Sequence, residues 1–151
     1  MTAPRFSVEA TIQIHAATGA VWEKFRQVAD WPRWNPEIVS ARWLQGPPWE
    51  EDSVLELRHR SLFGRVVTTT AVIRMAASQD ISSKTVVWES QGAGMVAVHT
   101  AQFSDNLGGC RLYARHTYHG WPALLLALLR GRQEAKLRQA MAALKAYVEQ
   151  R

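Results

Sequence analysis

The chain has 151 residues, 47% of them hydrophobic and 21% charged, which suits one packed domain and excludes a disordered or fibrous polypeptide. Its 18 Lys and Arg against 13 Asp and Glu leave a net charge of +5. The basic residues are scattered singly and collect only at Arg130, Arg132, Lys136, Arg138 and Lys145, the pattern of a solvated helix face, so no nucleic-acid partner is expected.

Residues 1–7 lack the basic start and apolar stretch of a secretion signal, and a cytoplasmic location is expected. A half-buried strand comes first: Phe6, Val8, Ala10, Ile12 and Ile14 alternate with Ser7, Glu9, Thr11 and Gln13. The period then changes. Thr18 is placed to cap a helix carrying Val21, Trp22, Phe25 and Val28 at helical spacing, and that helix is expected to end before Pro32. Two tryptophans and two prolines in Asp30-Trp31-Pro32-Arg33-Trp34-Asn35-Pro36 predict a turn or short second helix anchored by aromatic burial.

From Ile38 to about Tyr118 the chain reads as strand, turn, strand. Breaks fall at Gly46-Pro47-Pro48, Phe63-Gly64, residues 78–80, residues 92–94 and Asp105-Asn106-Leu107-Gly108-Gly109, which leaves six strands here and seven in all. Connections this short require antiparallel neighbours. Cys110 is the only cysteine, so an intrachain disulfide and a cysteine-built metal site are excluded. After Gly120 the sequence turns helical, with Leu124, Leu128, Leu137, Met141, Leu144 and Val148 near one stripe and Gly131 as the expected bend. The apolar run from Trp121 to Leu129 is far shorter than the about 20 residues of a membrane-crossing helix. No stable membrane insertion is expected.

One strand, two helices, six strands and a long final helix resemble the helix-grip fold of the START-like (SRPBCC) superfamily, in particular its polyketide cyclase/dehydrase family. The resemblance spans the whole chain and rests mainly on Ala17 to Pro36, with support from Gly46, the hairpin Phe103 to Arg111, and Leu137, Leu144 and Tyr147. It implies one α+β domain, a curved antiparallel sheet around the C-terminal helix, and a cavity between them that holds a lipid, polyketide or aromatic molecule. A strongly curved sheet cannot lie flush on a straight helix, so a space between them is physically reasonable.

Polar residues that share a strand face with apolar ones are the candidate site, because an unpartnered polar group in an apolar wall is costly. His59 follows Leu55 and Leu57 at period two, His99 precedes Ala101 and Phe103, and His116 and Tyr118 follow Leu112 and Ala114. His99, His116 and Tyr118 are the acid-base candidates, with His99 and His116 as cross-strand neighbours if their strands pair. His59, Trp34, Trp88, Phe103, Tyr113, Leu124, Leu125 and Leu128 are the candidate ligand-lining residues. For Trp88 and Tyr113, packing on the sheet is the alternative. No nucleophile elbow or phosphate-binding glycine loop occurs, so no nucleotide cofactor is expected; three histidines could in principle hold a metal, but no two of them have the close helical spacing of a familiar metal motif, so no metal is expected. Three functions remain open: a carrier or sensor of an apolar molecule, a cyclase or dehydratase working without a metal or nucleotide cofactor, and a module docking on a membrane or lipid carrier. A monomer or weak homodimer is expected.

Overall fold

Period-two alternation gives the first strand one apolar face, and in the computed structural model that face points inward. Residues 5–61, 63–76, 80, 82–92 and 94–150 are described; residues 1–4, and the parts of the expected turns at 78, 79 and 93, lie outside them. Strand β1 (Arg5–Ile14) is followed by helix α1 (Thr18–Phe25), a 3₁₀ turn (Val28–Asp30) and the short helix α2 (Trp31–Trp34). Six strands then run consecutively: β2 (Ile38–Gln45), β3 (Val54–Arg60), β4 (Val66–Met75), β5 (Ser83–Gly92), β6 (Met95–Asn106) and β7 (Gly109–His119). Two helices close the chain, α3 (Ala123–Ala127) and α4 (Arg130–Val148). All seven strands form one antiparallel sheet in the order β1-β7-β6-β5-β4-β3-β2, the curved sheet and long C-terminal helix of a helix-grip fold.

Two local expectations change. Thr18 does not cap α1: its hydroxyl donates to Asp105 at 2.5 Å, and Ala17 occupies the cap position without a side-chain bond. The bend before the last helix falls at Leu128–Leu129, and Gly131 lies inside α4. Helix α3 therefore forms a separate turn. Gly120, at φ +124, makes the join between β7 and α3 possible, because a Cβ there would lie 2.5 Å from the Gly94 carbonyl oxygen.

Helix α4 grips both edges of the sheet. Arg130 donates to the Ser7 carbonyl, Lys145 to the Gln13 carbonyl, and the His15 backbone N–H to the Glu149 carboxylate, so the open edge of β1 is partly satisfied by side chains. On the far side Lys136 reaches the Arg60 carbonyl at 3.3 Å and Glu37 at 3.4 Å. Leu137, Met141 and Leu144 supply the buried face of α4. The helix packs chiefly on β1 and also meets α1 and α2, and the middle strands β4 to β6 are not among its principal neighbours.

The half of the sheet near α1 is solidly filled. Trp22 and Phe25 of α1, Trp31 of α2, Trp49 of the β2–β3 loop, Trp88 and Phe103 form one contiguous aromatic cluster with ring centroids 5.0 to 6.4 Å apart. Each such pair adds about 0.5–1.5 kcal/mol beyond its burial. The Trp31 and Trp49 indole nitrogens donate to the carbonyls of Phe25 and Arg26, which fixes the α1–α2 corner.

Candidate ligand site

Strand pairing decides which polar side chains meet. In the β6–β7 ladder His99 lies opposite His116, in β5–β6 Trp88 lies opposite His99, and in β1–β7 Val8 lies opposite His116. One row across the inner face is therefore Val8, His116, His99 and Trp88. The His99 and His116 rings meet edge to face at 4.2 Å between centroids, and Trp88 stacks on His99 at 5.4 Å with the planes 6° apart. The next row toward the start of β1 holds Phe6, Tyr118, Ala97 and Ser90, with the Phe6 and Tyr118 rings stacked at 5.0 Å.

Burial differs along the inner face: it is complete toward α1 and partial in this half. Ile14, Leu55, Ile73, Val86 and Phe103 are fully buried, whereas Ala97, His99, His116, Leu57, Thr69 and His59 keep part of their surface although they face inward or border the inner rows. Pairing between β4 and β5 stops at Ala71 and Ser90, while β4 begins at Val66 and β5 runs to Gly92. The two strands thus part at this end of the sheet. His59 stands beside the gap, its ring nitrogen 3.3 Å from the Thr69 hydroxyl.

Burial sets the protonation of these groups. Loss of hydration pushes the His116 imidazole down to about 4. The same cause, helped by the charge of His116 and then of His59, holds His99 well below its ordinary value. Desolvation lowers His59 and raises the Tyr118 phenol to about 12. At neutral pH the wall is therefore uncharged. Each group keeps a donor or an acceptor, or both, for a carbonyl or hydroxyl placed against it. Among the described residues no three His, Cys, Asp or Glu side chains converge as a metal site requires.

Several expected residues lie elsewhere. Tyr113 has the opposite strand parity to Leu112 and Ala114, so it points to the outer face, where its hydroxyl donates to Glu9 at 2.5 Å. Leu124, Leu125 and Leu128 are exposed, because α3 turns its Ala123 and Leu126 side inward. Phe103 faces inward but is sealed among aromatic rings. Trp34 is half-buried against the core, and its indole nitrogen is buried without a hydrogen-bond partner among the described residues. Phe6, Ala97, Ser90 and Thr69 escaped sequence reading. Parity alone would have marked the first three, but a wall made of small or common residues has no motif.

Residues 5–149 match the family model for polyketide cyclase / dehydrase and lipid transport. The chain belongs to this family. No curated protein matches it. Solved structures agree on the fold at low identity. The hypothetical protein jhp0584 from Helicobacter pylori superposes with a TM-score of 0.78 at 14% identity, over 98% of this chain and 89% of that one. A START superfamily protein from Mycobacterium smegmatis gives 0.78 at 16%, over 95% and 97%. The di-domain ARO/CYC BexL from the BE-7585A biosynthetic pathway gives 0.72 at 21%, over 97% of this chain and 51% of that protein. In this family member no described helix is long and apolar enough to cross a membrane.

Proposed function

We propose that the chain binds one apolar small molecule, of lipid, polyketide or aromatic type, between α4 and the open half of the sheet. The observation carrying this reading is the contrast along a single face, buried at the α1 end and partly accessible around His99, His116 and Ala97 under a helix that packs mainly at the sheet edge. Apolar area removed from water stabilises such a complex by about 25 cal/mol per Å². His99, His116 and Tyr118, uncharged at neutral pH, orient the guest through a few hydrogen bonds. The lipid-transport description of the family agrees with this reading. Native mass spectrometry after gentle purification tests it: the expected result is a retained small-molecule adduct that organic extraction releases. A ligand-free protein that takes up no fatty acid, sterol or aromatic polyketide would overturn it.

The contact between His99 and His116 favours a second reading, a cyclase or dehydratase. One neutral imidazole would accept the proton from an acidic C–H of a poly-keto chain, the carbanion so formed would bond to a carbonyl carbon of the same chain while the other imidazole N–H hydrogen-bonds the oxygen, and the imidazolium would return the proton to that oxygen to give the aldol. Loss of water from the resulting aldol would follow. The ARO/CYC likeness concerns fold only and leaves the reaction to experiment. For this reading the His99→Gln/His116→Gln double variant forms aromatic product at least about a hundredfold more slowly, the scale of lost acid-base catalysis. Unchanged turnover would remove it.

A further inference from the structure

Leu124, Leu125 and Leu128, candidates for the cavity wall by sequence, form an exposed face together with Trp121. Trp121, Leu124, Leu125 and Leu128 are 63%, 55%, 70% and 81% exposed. At about 100° per residue Leu124, Leu125 and the C-cap residue Leu128 fall within roughly 100° of arc on one side of α3, and Trp121 stands just before the helix. Ala123, on the opposite side, is 1% exposed. Isolated surface leucines are ordinary, but four large apolar side chains on one short turn are a patch.

The patch lies at the open end of the sheet. Strand β7 ends at His119 beside Arg5 and Val96, the β5–β6 turn meets Gly120, and β3 and β4 end at Arg60 and Val66. Phe63 in the β3–β4 turn, 74% exposed, projects from this same end. Two apolar projections thus flank the opening of the proposed cavity.

Charge identifies the occupant. No Asp or Glu occurs from residue 106 to 133, and Arg130 and Arg132 directly follow the leucines; both are exposed. A second copy of the chain is disfavoured on two grounds. A symmetric contact would bring the arginines of both copies together, and the patch offers on the order of a few hundred Å², below the about 800 Å² per partner of a stable interface. A bilayer bearing anionic headgroups satisfies both features, with leucine and tryptophan in the acyl boundary and arginine at the phosphates.

We infer that Trp121, the exposed leucines of α3 and Phe63 form a docking surface for an anionic membrane, which seats this end of the sheet against the bilayer. This goes beyond ligand binding and stands whether or not the cavity is filled. Flotation with phosphatidylcholine vesicles, with and without phosphatidylglycerol, tests it. The expected result is binding to the anionic vesicles, at least about tenfold weaker for Leu125→Glu/Leu128→Glu and about fivefold weaker for Arg132→Glu, with circular dichroism and melting unchanged because these side chains face solvent. Three results would overturn it: no binding by the wild type, equal binding to both vesicle types, or undiminished binding by the leucine variant. Sedimentation velocity showing a wild-type dimer that the leucine variant dissolves, without vesicle binding, would assign the face to a second copy instead.

Discussion

His99 and His116 show how one residue type acquires its character from position. Both imidazoles sit in a wall of Val8, Ala101, Ala114 and Trp88, whose apolar surroundings disfavour the charged form. The unfolded chain carries ordinary histidines near 6.5, so between pH 6.5 and about 4 it binds protons that the native state refuses. Stability contributed by the neutral pair is present above 6.5 and falls as pH drops through that window. For His116 alone the loss approaches about 3 kcal/mol. Urea unfolding at pH 7.5 and 4.5 checks this: wild type is expected to lose at least about 2 kcal/mol more than His99→Gln/His116→Gln on acidification, and an equal loss in the two proteins would refute the assignment. Period two alone makes the facing of these residues legible in the sequence. Their contact depends on register, which turn length and hydrogen bonding fix and no single strand reveals.

At the scale of elements the seven strands and the α1–α2 corner can be read from turn residues and aromatic spacing, because each signal is local. Tyr113 takes the second of its two expected places, packing on the sheet, because strand parity sets it outside with Thr11 and Glu9. Helix α3 fails for a different reason. A run of leucines after Gly120 reads as buried helix, yet the break at Leu128–Leu129 frees α3 from the axis of α4 and lets it rotate its leucines outward. That rotation is a tertiary event with no local code. Trp49 is likewise invisible as a core residue, since its burial requires the β2–β3 loop to fold back onto Arg26.

For the whole molecule, helix and sheet are fastened at the two sheet edges and by the aromatic cluster near α1, and burial of the inner face is least complete toward α3. Lys136 to Glu37, a half-buried single pair, contributes on the order of 1 kcal/mol, so the grip is mostly apolar packing by Leu137, Met141 and Leu144. If the open half of the inner face holds a guest, filling it from the protein side must exclude that guest without harming the fold. Ala97, half-buried between Tyr118 and Ser90, is the position for this. The decisive measurement is titration of wild type and Ala97→Phe with the neutral fluorophore N-phenylnaphthylamine, each protein first shown to melt cooperatively. The account predicts saturable one-site binding by wild type and at least about tenfold weaker binding by the variant with little change in melting. Equal binding by both proteins, or none by wild type, would contradict it.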